Sequence, residues 1–567
     1  MMYQSIAKIL LGVCIGMLVI AILNGVGKID AKEHKIERLL TSLSELLNRF
    51  YYVALFGIFI VFLFSRLYLL GVLPLGMHVD ELGMAYDAQC LARYGVDRHL
   101  VRYPFYLINY GGGQNALYTY LTMILLKFLP FSVTVIRLPA VFCACICFFS
   151  MFFLLKEMRG SNCFALLGPV FVTITPYFMF SERWALESSL FLSLLPPAIL
   201  FLIRAVKYKK MRDYVFSAIV FGLVLYTYAI SYLVLPLLLG ITILYLIWVK
   251  RFELKNWIVF SVILGCLACP LIINQLINMK VIPEFSFLCF DFKRLFWYRS
   301  DELSLGNILM NWDYLKTLLL GGDGLSYNSF EEFGPVYLFM IPLVFFGLAV
   351  TIVKTVQSVK KREFSEDTLI LVTFVSGYFV LMIAAELSIG KANELFFTFI
   401  VFCIVAIISM WEMAKKGNMG NGILVVMLLV MGISYLMYGN FYFREQNEVY
   451  GYHDLFVSTY TGELVKIARE TYIPDNDKPL YCEIRYDDCN QETLLLSLYG
   501  DESPWDWNEE QMTTGNVRRH LPEEIDPDED AVYLIGDSWD HIVSYMASEW
   551  GFSVDNTYPS YKIVYKN

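Results

Sequence analysis

The stretch Tyr51–Leu73 reads YYVALFGIFIVFLFSRLYLLGVL, and the seven residues after it, Pro74–Asp80, read PLGMHVD. An apolar run of this length crosses a hydrocarbon core of about 30 Å as a helix. The polar residues behind it mark where the chain leaves the membrane. Similar runs recur at 133–155, 163–180, 185–204, 214–229, 231–249, 256–277, 334–354, 367–387, 392–411 and 422–440. A bilayer offers no water to unpaired backbone groups, so such runs are helices. The pattern predicts an all-α polytopic integral membrane protein. Composition agrees: 57% of the 567 residues are hydrophobic and 17% charged, against about 45–50% and about 25% in soluble domains. Mean hydropathy is +0.55.

Ahead of this body, Ile6–Val26 forms another apolar run. It has no basic n-region and no small-x-small cleavage site, so it reads as a retained helix and not a signal peptide. Between Asp30 and Phe50, Ile36, Leu39, Leu40, Leu43, Leu46 and Leu47 recur at helical spacing, which predicts an amphipathic helix on the membrane surface. The stretch Gln114–Leu129 is apolar but is preceded by glycines, and charge decides whether it crosses. With 114–129 left on one side, Lys156, Arg159, Arg204, Lys207, Lys209, Lys210, Arg212, Lys250, Arg251, Lys255, Lys354, Lys360, Lys361, Arg362, Lys415 and Lys416 share one face. The opposite short loops hold Arg183 and Lys391. Basic loops stay cytoplasmic, so 114–129 is predicted as a juxtamembrane helix on the outer face.

Three parts follow from this. Residues 1–50 are an N-terminal membrane helix with a cytoplasmic amphipathic segment. Residues 51–441 are the membrane body, with outer loops at 74–132 and 278–333. Residues 442–567 are an extracytoplasmic tail that is acidic, with strand-like runs at Leu480–Ile484, Ala531–Ile535 and Tyr561–Tyr565 and helix-like runs at Leu455–Thr471 and Trp539–Ser548. That alternation predicts a small α/β domain. The formal net charge of −9 resides mostly in this tail, and no basic tract suggests a nucleic-acid partner. Six histidines without an H-x-x-x-H pattern supply no built-in metal site, and no cofactor motif is present. Most cysteines lie in apolar runs and read as small hydrophobes; Cys482 and Cys489 are a candidate disulfide if the tail is extracytoplasmic.

Ionisable residues are nearly absent from span midpoints, where a charge costs about 2.5–3.5 kcal/mol. They gather instead at the outer ends: Asp80, Glu81, Arg137, Glu182, Arg183, Glu187, Glu386, Lys391 and Glu394. A polar cup at one interface suits interfacial chemistry better than a path across the bilayer. Within it, His78-Val79-Asp80-Glu81 places two adjacent carboxylates at a helix exit. One of them suits a general base that takes a proton from an acceptor hydroxyl; a solvated helix cap is the plain alternative.

Several segments resemble one family in order. His78–Ala88 (HVDELGMAYDA) is similar to the D-E-a-x-x-a-Y-D-a signature of bacterial relatives of protein O-mannosyltransferases and aminoarabinose transferases, glycosyltransferases of the GT-C fold. Gly111–Leu121 (GGGQNALYTYL), Val135–Ala140 (VIRLPA), Ser181–Ser188 (SERWALES) and Gly222–Tyr228 (GLVLYTY) resemble further family segments. So do Gly322-Asp323-Gly324, Asn328 and Phe333-Gly334-Pro335. The resemblance covers roughly 51 to 410 and implies a polyprenyl-phosphate-sugar donor, an outward-facing site and an inverting displacement on a lipid, glycan or protein acceptor. It implies Asp80 as base with Glu81 beside it. Tyr86, Asp87, Arg102, Gln114, Arg137, Arg183, Glu187 and Asn393 become substrate-binding candidates. Many members carry Lys-Pro where this chain has Gln114-Asn115. Phosphate recognition therefore falls to Arg137 and Arg183, with Arg102 behind them; interfacial snorkelling is the alternative for Arg137. The aromatics near this loop, among them Tyr86, Tyr106, Tyr118 and Trp184, read first as an interface belt. A transporter, or a non-catalytic subunit of an envelope assembly, is the rival class.

Overall fold

The computed structural model describes residues 2–26, 35–109, 112–296, 304–385, 387–415, 419–450, 456–474, 478–483, 497–499, 503–505, 507–508, 513–514, 516–518, 521–522 and 524–566. The chain is largely helical. Among the described residues nine helices are long and apolar enough to cross a membrane, and the protein is a multi-pass membrane protein.

The first of these helices, α1 (Met2–Gly25), stands alongside the last. The Tyr3 hydroxyl donates to Glu445 (2.6 Å) at one end, and the Asn24 amide reaches Met419 at the other. The amphipathic segment forms α2 (Lys35–Arg49), tied to the ends of later helices through Asn48 and Thr41. Next come α3 (Tyr51–Leu67), the short strand β1 (Met77–His78) and α4 (Val79–Tyr94). A hairpin of β2 (Tyr106–Asn109) and β3 (Gly112–Asn115) leads into α5 (Leu117–Leu126). Ten residues of helix rise about 15 Å, half a hydrocarbon core, so α5 does not cross.

The body continues with α6 (Val133–Arg159), the broken helix α7 (Asn162–Ala165), α8 (Leu167–Ile174) and α9 (Pro176–Ser181), then α10 (Glu187–Tyr208), α11 (Met211–Leu225), α12 (Ser231–Trp248) and α13 (Leu254–Asn278). A hairpin of β4 (Phe285–Phe287) and β5 (Phe290–Phe292) and the short helices α14 (Ile308–Asn311) and α15 (Leu315–Leu320) follow. The last membrane helices are α16 (Met340–Lys361), α17 (Glu366–Ile383), α18 (Asn393–Lys415) and α19 (Gly420–Asn440). Helices α10 and α18 are the central pair: 89% of each apolar window is buried, against 17% for α1 and 22% for α13. Ser132 caps α6 by accepting from the Val135 amide (3.2 Å), so that helix starts level with the site below. Beyond α19 a π-turn (Phe441–Glu445) continues to α20 (Gln446–Tyr450), so the helical rod does not stop at 441.

The tail begins with β6 (Phe456–Val457), which pairs antiparallel with β1, Met77 opposite Val457 and His78 opposite Phe456. Behind it α21 (Tyr460–Tyr472) and the helix Asp540–Trp550 flank a sheet. Its parallel centre is Leu480–Glu483 beside Val532–Gly536, with Tyr561–Tyr565 antiparallel at the edge of that pair. Alternation along one strand explains the three layers. Val532 and Leu534 pack with Leu464, Val465 and Ala468 of α21, whereas Tyr533 and Ile535 pack with Val543 and Met546 of the other helix. Cys482 is buried in this core; Cys489, its proposed disulfide partner, lies outside the described residues, as does Glu386.

Candidate functional site

The first turn of α4 fixes two neighbouring carboxylates in different surroundings. His78 is its N-cap: Nδ1 accepts from the Asp80 amide (3.1 Å), and Glu81 Oε2 accepts from the His78 amide (2.9 Å). This reciprocal arrangement satisfies two otherwise orphaned donors and sets the helix entry. Successive helical residues diverge by about 100°, so Asp80 and Glu81 cannot serve the same space.

Glu81 is sealed. It is 0% exposed, pairs with Arg137 (2.9 and 3.1 Å) and accepts from the Ala185 amide (2.6 Å). Burial pushes its carboxyl upward, but the Arg137 charge and four hydrogen bonds outweigh it, leaving Glu81 below the usual carboxylate range.

Around it, three arginines are caged. Arg137 donates its five N–H groups to Glu81, twice, and to the carbonyls of Leu70, Pro74 and Gly76. Arg183 donates to the carbonyls of Ser65, Arg66, Tyr68 and Leu73 and to the Tyr442 hydroxyl. Arg66 pairs with Glu182 (2.7 Å) and donates to Thr173 and Val172 carbonyls and the Ser65 hydroxyl. A helix ends with unsatisfied carbonyls, and at a membrane interface these need donors. Arg183 meets those that α3 leaves open, while Arg137 binds the turn beyond them. All three arginines are 0% exposed. The sequence reading gave Arg137 and Arg183 to a donor phosphate; in the structure every N–H of both is engaged by protein acceptors.

Asp80 lies open, its side chain 43% exposed. Oδ1 accepts from Asn109 Nδ2 of β2 (2.9 Å), and Oδ2 lies 3.6 Å from His78 Nδ1. Glu187, the first residue of α10, accepts from the Asn115 amide of β3 and lies within electrostatic reach of Asp80. The His78 ring is buried against Trp184 (5.7 Å between centroids), Tyr327 (5.4 Å) and Phe456 (5.4 Å). Phe456 in turn stacks on Trp184, 8° from parallel. Burial lowers the His78 pKa despite the two acids beside it, so the ring is neutral and its Nε2 carries the proton. Both long loops, 74–132 and 278–333, the Trp184 segment and the tail therefore meet beside Asp80.

The second long loop is pinned by Asp323, which accepts from the amides of Leu325 (3.2 Å) and Ile389 (2.9 Å) and from Asn328 Nδ2 (2.7 Å). Lys391 lies half-buried on the turn Ile389–Ala392 that this loop holds. The remaining candidates are placed as follows. Asn393 is buried, accepting from the Tyr177 hydroxyl and donating to the Gly390 carbonyl. Tyr86 and Asp87 are 0% exposed; Tyr86 hydrogen-bonds Ser497 of the tail, and Asp87 accepts from the Arg98 amide. Gln114 is buried opposite Leu107 in the hairpin. Arg102, half-exposed, forms a two-pronged pair with Asp291 of β5 (3.0 and 3.1 Å). Sequence reasoning missed Asn109 and Phe456: nothing local marks an asparagine in a strand or a phenylalanine 378 positions after His78 as neighbours of one carboxylate. Among the described residues no three His, Cys, Asp or Glu side chains are grouped to hold a metal ion.

Residues 115–273, from the end of β3 to within α13, match the family described as dolichyl-phosphate-mannose-protein mannosyltransferase. That stretch starts after α4 and excludes Asp80 and Glu81. The fold is similar to that of ArnT from Cupriavidus metallidurans. In its apo state the TM-score is 0.53 at 12% identity, covering 91% of this chain and 97% of that one. Bound to undecaprenyl phosphate the TM-score is 0.50 at 11% identity, with the same coverage. The shared architecture is the GT-C fold, here with a small C-terminal sheet domain. No curated protein sequence matches the chain.

Proposed function

We propose that this GT-C-fold protein, similar to the protein mannosyltransferases over residues 115–273, is a membrane glycosyltransferase that moves a sugar from a polyprenyl phosphate to an acceptor hydroxyl. The observation that carries the assignment is the split between two adjacent carboxylates: Glu81 is sealed by Arg137, and Asp80 is open beside a neutral histidine. A base must reach the proton it removes, and of this pair Asp80 is the one that substrate can reach.

In the proposed reaction the acceptor oxygen attacks the anomeric carbon and its proton passes to Asp80. The bond from that carbon to the phosphate oxygen breaks, and polyprenyl phosphate leaves with the electron pair. One displacement inverts configuration. The undecaprenyl phosphate held by ArnT supports this class of donor. We assign the leaving phosphate to Lys391, a half-buried cation on the turn that Asp323 of the second outer loop holds.

Orientation follows from charge. Asp80 and the start of α6 lie at one end of the bundle, and Lys156 and Arg159 end α6 about 40 Å away at the other. Basic loops are retained in the cytoplasm, which supports an outer location for the site and residues 442–567. The test is incubation of the purified protein with a panel of polyprenyl-phosphate sugars and measurement of polyprenyl phosphate release. Release with at least one donor, dependent on Asp80, is expected. Release with none across mannosyl, glucosyl, galactosyl and aminoarabinosyl donors would reject the assignment.

A further inference from the structure

We infer that Asn109 is a positioning residue for Asp80, with Arg98 setting the direction of its amide. The inference rests on the reading of Asp80 as base. An asparagine side chain presents a carbonyl on one side and an NH2 on the other, and its partners decide which faces where. Arginine has only donors. Arg98 Nη2 lies 2.5 Å from Asn109 Oδ1 and 3.0 Å from the Ile108 carbonyl. The Asn109 oxygen must therefore face Arg98, which leaves its NH2 directed at Asp80 Oδ1, 2.9 Å away.

Arg98 is held in turn. Its amide donates to Asp87 Oδ1 (3.1 Å), and its Nε lies 3.7 Å from the same oxygen. Asp87 and Arg98 are buried and Asn109 is 9% exposed, so water competes little for these contacts. A path from Asp87 through Arg98 and Asn109 thus ends on Asp80, the open member of the Asp80–Glu81 pair.

Gly83 makes the path possible. A Cβ at Gly83 would stand 2.5 Å from Asn109 Oδ1 and 2.6 Å from Arg98 Nη1. A larger residue at position 83 displaces both members of the relay. The consequence for Asp80 is a fixed rotamer, with Oδ1 occupied and Oδ2 left toward the acceptor.

The titratable groups that face Asp80, among the described residues, are few. His78 Nδ1 lies 3.6 Å from Oδ2, Glu187 faces it from α10, and adjacent Glu81 is neutralised by Arg137. Arg98 acts through Asn109.

The test compares pH profiles of full-length Asn109→Ala, Asn109→Asp, Gly83→Ala and Asp80→Asn proteins, with a polyprenyl-phosphate sugar that the parent uses. For Asn109→Ala, loss of the donor should move the acid limb of kcat/KM to higher pH by about one unit. It should lower kcat about tenfold and leave donor KM near the parent value. Asn109→Asp keeps the shape but turns a donor into an acceptor, so its limb should move further in the same direction; a purely structural Asn109 predicts no movement. Gly83→Ala should reproduce the Asn109→Ala limb, and it keeps the question open to test if Asn109→Ala does not fold. Limbs that stay in place in Asn109→Asp and Gly83→Ala would overturn the inference while leaving Asp80 as base. Asp80→Asn protein that transfers sugar at the parent rate would overturn the reading beneath it.

Discussion

Two sides of one helical turn carry opposite chemistry. On the sealed side Glu81, Arg137, Arg183 and Arg66 are 0% exposed and hold the carbonyls and carboxylates of three chain segments. On the open side Asp80 is 43% exposed, steadied by Asn109 and bordered by the neutral His78 ring. The two carboxylates are adjacent in sequence and belong to the same motif, yet only one is free for a reaction. Charge at a membrane interface is thus no guide to function by itself. A caged arginine does the work that water does at an ordinary helix end, and what remains uncaged is where chemistry belongs.

The contrast predicts effects of different kinds. On the open side, Asp80→Asn keeps shape and removes the proposed base. General-base contributions are about 10²- to 10⁴-fold, so sugar transfer should fall by at least about 10²-fold with an unchanged thermal midpoint. Near-parental transfer by a folded Asp80→Asn protein would erase the distinction between the two sides.

On the sealed side the loss should be of fold, not of turnover alone. Removing one partner of a buried ion pair costs about 3–5 kcal/mol, so Arg137→Ala should lower the unfolding midpoint in detergent sharply and reduce recovery from membranes. Glu81→Gln keeps one acceptor oxygen, and with it two of the four hydrogen bonds, and should sit between Arg137→Ala and the parent. A stable Arg137→Ala protein with a raised donor KM would return that arginine to the phosphate and dissolve the cage. The intermediate case is Lys391→Ala: loss of one charge-assisted contact to phosphate, about 1.5–3 kcal/mol, should raise donor KM by roughly tenfold or more and leave the midpoint in place.

The same contrast explains what the sequence made legible. Span positions follow from apolar runs long enough for a bilayer, and the predicted strand runs overlap the strands Leu480–Glu483, Val532–Gly536 and Tyr561–Tyr565 at the core of the tail sheet. Those signals are local. Period and composition also locate the polar cup, but they cannot separate a caged cation from a free one. Arg137 is defined by carbonyls of Leu70, Pro74 and Gly76, more than sixty positions earlier. Backbone acceptors carry no sequence signature, so the arginines look available when read along the chain. Asn109 is hidden for the same reason: its role depends on Gly83 leaving room for it. The tail's contribution, Phe456 against His78 through the β1–β6 pairing, depends on a register that two-residue strands do not announce.

The smallest effect belongs to a cation outside the cage. Arg102 is half-exposed and grips Asp291 of the β4–β5 hairpin with two hydrogen bonds, while its own amide donates to the same carboxylate. The Arg102 contacts hold the Asp291 carboxyl down at about 2, below the ordinary value near 3.9. A carboxyl depressed in the folded state stabilises above its unfolded pKa, and that contribution disappears as pH falls toward the folded value. The hairpin should therefore stay docked on the first long loop at neutral pH and loosen between about pH 4 and 2. Amide exchange at Phe285–Phe292 reports this directly, since the Asp291 amide donates to the Arg102 carbonyl (2.9 Å) in the docked form. Exposed ion pairs add little to stability, so Arg102→Ala should speed exchange in the hairpin at neutral pH while donor KM and the unfolding midpoint stay at parental values. A rise in donor KM with unaltered exchange would show that Arg102 serves the substrate and not the hairpin, and would place a binding cation on the exposed rim, where the contrast between the two sides allows only a tether.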